Sequence, residues 1–155
     1  MAKHLLTDRT IKAAKPMAKP YRLADGGNLL CYHGSPRSYN DPIMPGTSAE
    51  ELDAMLGEVT ATVLAGGHTH QQMLRRHHKA LVLNPGSVGL PMDRVPPGPG
   101  TRNPPWAEFA VLTCGAGDVR VELRRVSFDV WAHLTAARRS GMPHAEWYMA
   151  DWDMG

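Results

Sequence analysis

Apolar and polar positions divide the chain into short, well-punctuated elements. YRLADGGNLLCYH (21–33) sets two apolar runs on either side of Asp25-Gly26-Gly27, which predicts a hairpin running into His33. The next stretch, GSPRSYNDPIMPG, is loop by its Pro, Gly, Ser and Asn content. TSAEELDAMLG then reads as a helix. Ser48 and Glu51 supply a capping box, Leu52, Met55 and Leu56 share one face, and Gly57 marks the stop. VTATVLAGG (59–67) is a buried strand, and QQMLRRHHKALVLNPGS a hairpin with its tip near His77-His78-Lys79. PMDRVPPGPGTRNPP holds six of the thirteen prolines and is expected to be an irregular loop. WAEFAVLTC and DVRVELRRVSF form two strands around Gly115-Ala116-Gly117, with Val119, Val121 and Leu123 on one side of the second. DVWAHLTAARRSG is an amphipathic helix stopped by Gly141, followed by a short helix-like PHAEWYMADW. Near the N-terminus, Thr7 or Asp8 caps a short helical turn broken by Pro16 and Pro20. A helix between early strands, followed by hairpins, suits an α/β sandwich with mixed sheets.

Composition narrows the class. With 155 residues, 43% apolar and 21% charged, one domain with a real core is expected. The apolar runs are too short to span a bilayer and the first residues are too charged for a secretory signal, so a cytoplasmic protein is expected. Cys31 and Cys114 lie far apart and read as reduced thiols. The net charge of +2 hides an asymmetry: residues 1–30 carry six Lys/Arg against two Asp. Lysine is concentrated in that segment and arginine elsewhere, which suggests a boundary near residue 28.

The chemistry lies in VLAGGHTHQQM. A strand ending in two glycines delivers His68 and His70, one residue apart, and His33 ends another apolar strand beside Gly34. Imidazole is the commonest neutral metal ligand, and the glycines let backbone approach without Cβ clashes. His33, His68 and His70 are therefore candidate ligands for a divalent transition metal (Mn, Zn, Fe or Ni). LRRHHK (74–79) reads as a solvated hairpin tip in preference to a nucleic-acid patch or a second metal site. Trp131, Trp147, Tyr148 and Trp152 read as core or interface anchors in preference to base-stacking platforms.

HGSPRSYNDPIMPGTS, LAGGHTHQQM and LVLNPGSVGLP, in this order and spacing, resemble the second half of the calcineurin-like metallophosphoesterases, in particular their small bacterial and archaeal phosphodiesterase branch. The likeness covers roughly residues 29–152. It implies an αββα sandwich, of which this chain would hold part, and two metals about 3.5–4 Å apart that activate water for hydrolysis of phosphate mono- or diesters. By the match, His33 and His68 would hold one metal and His70 the other, with Asn84 to Ser87 shaping the adjacent loop. The first-half motifs Asp-x-His, bridging Gly-Asp and Gly-Asn-His are not found at matching positions. Three neutral imidazoles offer no anionic ligand, so an impaired or inactive centre is expected of the lone chain. The alternatives are a non-catalytic binding module and one half of a split phosphoesterase.

LTDRTIKAAKPMAKPYRLADGGNL is similar to the start of the arm-type DNA-binding segment of phage-type tyrosine integrases. The expected organisation is a basic arm over 1–28 and a metallophosphoesterase-like domain over 29–155, the chain looking like a fusion. Expected partners are a phosphate ester, weak non-specific DNA contact through residues 1–27, no membrane, and either a homo-oligomer or a complementing chain. The oligomer is expected because NLLCYH and VTATVLAGG would lack the first-half strands as neighbours and present unpaired edges.

Overall fold

Leu30, Leu64 and Val82 stand in one row across three parallel strands, and the rest of the domain is organised around that row. These strands are β2 (Asn28–Cys31), β3 (Val63–Ala65) and β5 (Ala80–Asn84). In the computed structural model, which describes residues 19–23, 26–94, 101–115 and 118–152, they form the centre of a five-stranded mixed sheet. The strand order is β1-β2-β3-β5-β4, where β1 is Lys19–Arg22 and β4 is Met73–His77, both antiparallel to their neighbours. Among the described residues no helix is long and apolar enough to cross a membrane. Both cysteines are free thiols.

The expected helix is α1, Ala49–Leu56, and its capping box is complete. Glu51 N donates to Ser48 Oγ at 3.1 Å and Ser48 N donates to Glu51 Oε2 at 2.9 Å. Two N-terminal amides that water would otherwise have to satisfy are thereby paired. Its face buries Leu52 and Leu56 in one cluster with Tyr32, Ile43, Leu64, Met73 and Val82, and Leu30 packs against that cluster. Alternation along the strands sends Val63 and Leu83 to the other face, where both are also buried.

β6 (Asp93–Arg94) and β7 (Thr101–Arg102) form a small antiparallel pair where an irregular loop was expected. Their pairing lies at the ends of the proline-rich stretch, where backbone amides are free to donate. β8 (Trp106–Gly115) and β9 (Asp118–Ser127) form the long hairpin, with Val119, Val121 and Leu123 half-buried. α2 (Val130–Arg139) is capped by Asp129, whose Oδ1 accepts from Ala132 N at 2.9 Å, and α3 (Ala145–Ala150) follows. Val130, Leu134 and Trp152 form a second cluster, joined by Phe128 and Tyr148. Trp152 is thus a core anchor, while Trp131 and Trp147 are exposed.

The structure overturns the expectation of unpaired edges on β2 and β3. β2 is hydrogen-bonded to β1 on one side and to β3 on the other, and β3 lies between β2 and β5. The reason is local: the turn at Gly26 and Gly27 folds Lys19–Arg22 back along Asn28–Cys31, which satisfies the backbone groups that would recruit another chain. β1 lies before the composition break at residue 28 and yet belongs to this sheet, and Pro20 occupies an outer-strand position that tolerates a missing amide. The helical turn expected over residues 7–15 lies outside the described residues.

Candidate metal centre

β2, β3 and β5 run in parallel with Cys31, Ala65 and Leu83 in register, so their C-terminal loops leave from one edge. Ligands in α/β sheets collect at such an edge. The backbone ladder continues into the loops: Tyr32 N donates to Ala65 O, Gly66 N to Leu83 O, and Gly67 N to His33 O at 2.7 Å. That last bond sets His33 beside the turn carrying His68. Their rings meet edge to face with centroids 4.9 Å apart, and His33 Nε2 lies 3.1 Å from His68 Nδ1.

Gly66 is required by close approach, since a Cβ there would run into the Tyr32 ring. Beyond it, His68 (φ 64°) and His70 (φ 56°) both take the left-handed conformation, which ordinary side chains rarely adopt. The turn is held from β5. The Asn84 side chain donates to Gly67 O at 2.7 Å and to Thr69 Oγ1 at 2.9 Å, and its Oδ1 accepts from Gly86 N at 2.9 Å. Gly86 has φ 84° and lies against the buried Glu108. The Asn-Pro-Gly-Ser stretch thus shapes the loop.

His33 is open to solvent, and His68 and His70 are half-buried. Partial desolvation, followed by the charges of His68 and His70, pushes the His33 imidazole below the usual histidine range. A neutral imidazole is the form that binds a metal. Two nitrogens on one zinc-like ion, each at about 2.0–2.1 Å, stand about 3 Å apart, so the His33–His68 spacing fits a shared ion. His70 Nδ1 is buried without a hydrogen-bond partner, a polar atom in want of one. His70 does not complete a three-ligand group with the other two among the described residues. Asp41, the first carboxylate after His33, instead accepts from Ser35 Oγ at 2.6 Å.

A different group does have metal-ligand spacing. Asp53, His77 and His78 place one ligand atom each within 4.8 Å of one another, the only such group of His, Cys, Asp or Glu among the described residues. The expectation of a solvated hairpin tip holds for the exposed His78 and Lys79 and is corrected at His77, which is buried at 8% exposure; both its ring and that of His78 bond Asp53. The two adjacent histidines were visible in the sequence, but no local signal pointed to Asp53.

Residues 8–103 match the calcineurin-like phosphoesterase superfamily domain. No curated protein matches the chain. Among solved structures, the fold is similar to a hypothetical protein from Pyrococcus horikoshii, with TM-score 0.67 at 16% identity over 94% of this chain and 55% of that one. It is also similar to a metallophosphoesterase from Sphaerobacter thermophilus, with TM-score 0.64 at 19% identity over 96% of this chain and 63% of that one. The chain thus spans less than two thirds of either.

Proposed function

Because the chain belongs to the calcineurin-like phosphoesterase superfamily, we propose that His33, His68 and His70 form a phosphoesterase-type metal centre directed at phosphate mono- or diesters. His33 and His68 would hold one divalent transition metal, of the Mn, Zn, Fe or Ni class, and His70 a second position. The observation that supports this most is the 3.1 Å approach of His33 Nε2 to His68 Nδ1 at the ends of adjacent parallel strands.

Such an ion, when bound, supplies Lewis-acid activation of water and neutralises phosphoryl charge. The contribution of the chain is to fix the two imidazoles through the Gly67–His33 backbone bond and the Asn84 clasp, so that little reorganisation accompanies binding. The solvent-open His33 leaves room for an incoming phosphate oxygen. The histidine set is neutral, so ion affinity is weak and turnover by the lone chain is low. A complementing chain or a second copy would supply the carboxylates that raise both. The neutral donor set also supports a second reading, a binding module that retains the fold without hydrolysis.

The test combines metal analysis with a generic phosphodiester assay in added Mn²⁺. His68→Ala/His70→Ala should lose metal on dialysis relative to its parent, both carrying Asp53→Asn/His78→Ala so that only this centre is read. Unchanged retention would remove the ligand assignment. Robust turnover by the lone chain that disappears in His70→Ala would overturn the expectation of low activity.

A further inference from the structure

α1 and the β4–β5 turn meet at a second constellation of ligand-type side chains. Asp53 lies on α1 beside the buried Leu52, and its Oδ1 is 2.8 Å from His77 Nε2 and 2.8 Å from His78 Nε2. Adjacent residues on a strand point to opposite faces. Here they do not, because His78 takes φ 50° at the first of the two turn residues, a position that glycine fits best in tight hairpins. The left-handed residue swings its ring back to 4.3 Å from that of His77. One carboxylate and two imidazoles thus converge from elements 24 residues apart in the chain. The three border a cavity of about 430 Å³, also lined by Leu56, Ala61 and Lys79.

We propose that Asp53 Oδ1, His77 Nε2 and His78 Nε2 bind a borderline divalent ion of the zinc, cobalt or nickel class. Imidazole and carboxylate suit these ions, and at ligand distances of about 2.0–2.1 Å an O···N separation like the one present subtends roughly a right angle. Three protein ligands would leave the ion's remaining positions open toward solvent and the cavity. Side-chain exposures of 8% for His77, 71% for His78 and 55% for Asp53 give the ion a fixed inner ligand and an open entry path. Binding there fastens the C-terminal half of α1 to the β4–β5 turn. It is independent of the histidines at the far ends of β2 and β3.

The test uses the full chain carrying His68→Ala/His70→Ala, so that the other centre does not contribute. Stripped protein is titrated with Zn²⁺ alone, and with Co²⁺ for its visible absorption. One equivalent should bind, Co²⁺ should give a ligand-field band, and the thermal midpoint should rise with Zn²⁺. Asp53→Asn and His78→Ala, both at exposed positions, should each weaken binding by about tenfold or more and reduce the shift in midpoint accordingly. Circular dichroism of the metal-free variants checks that they remain folded. Equal Zn²⁺ affinity in the parent and in the Asp53→Asn/His78→Ala variant would overturn the site, as would a parent that binds no Zn²⁺. Neither outcome bears on His33 and His68.

Discussion

The Asn84 side-chain amide donates to the backbone carbonyl of Gly67 at 2.7 Å, so the last residue of β5 carries the turn from which His68 projects. Asn84 is 2% exposed, and water cannot readily replace what it provides. Asn84→Ala should lower stability by about 1–3 kcal/mol, read as a lower urea midpoint. It should also weaken metal retention at His33 and His68 while leaving Zn²⁺ binding at Asp53 unchanged. A variant that loses stability but keeps its affinity at His33 would make Asn84 a packing residue only.

Glu108 is buried at 3% exposure, and its Oε1 accepts from Arg125 Nε at 2.9 Å and from Trp106 Nε1 at 3.1 Å. Arg125 also covers the Trp106 ring at 4.7 Å. Removing the guanidinium in Arg125→Ala leaves a buried carboxylate without its cation. Because Arg125 is 52% exposed, the cost should be about 1–3 kcal/mol, below that of a fully buried pair. Glu108→Gln in the same chain should recover part of it. Equal losses with Glu and Gln at position 108 would show that ring packing, not charge, is what Arg125 contributes.

Gly66→Ala places a methyl group against the Tyr32 ring, which is itself fixed in the α1 core cluster. An expected loss of about 1–3 kcal/mol follows from overpacking. Gly46→Ala meets nothing within 4 Å and serves as the control. Indistinguishable melting of the two variants would mean that Tyr32 moves aside freely.

Arg138 and Glu146 join α2 to α3 through two bonds of 3.0 Å. The guanidinium holds the Glu146 carboxyl below its ordinary value of 4.5. A depressed folded-state value stabilises the fold above pH 4.5, and this contribution is lost as pH falls through the folded value. In a carboxyl NMR titration, Glu146 should protonate at lower pH than a free glutamate, and Arg138→Gln should return it to the ordinary value. Both groups are exposed, so high salt should shrink the difference. A Glu146 titration insensitive to both changes would rule out the pair in solution.

The basic arm remains a proposal, with a direct check. If residues 1–27 contact DNA, binding should be independent of sequence and fall steeply with salt. A full-length variant with Lys3, Arg9, Lys12 and Lys15 replaced by Gln that is retained equally well on DNA would exclude the arm.

Local signals were legible wherever short-range chemistry decides the outcome. Ser48 and Glu51 announced α1, Gly26-Gly27 announced the first hairpin, and the Gly-Ala-Gly sequence after Cys114 announced the long one. The strand-end placement of His33 and His68 beside glycines was legible in the sequence and the family pattern agreed with it, but periodicity cannot report which strand ends are neighbours. One feature escaped for a physical reason. Strand alternation would put His77 and His78 on opposite faces, and only the left-handed backbone at His78 reverses this.

His33 and His68 meet only once β2 has paired with β3 across the intervening segment that contains α1. Contacts of this kind pay their loop-closure entropy before they are rewarded, and so tend to form late in folding. The β4–β5 hairpin, by contrast, can close locally around its two-residue turn. An ion bound by both histidines, as proposed, would act as a latch on the parallel pairing, adding its binding free energy to that non-local contact. Hydrogen exchange should register that latch as added protection at Leu64 and Ala65, spreading along β2 and β3 more than into the local hairpin.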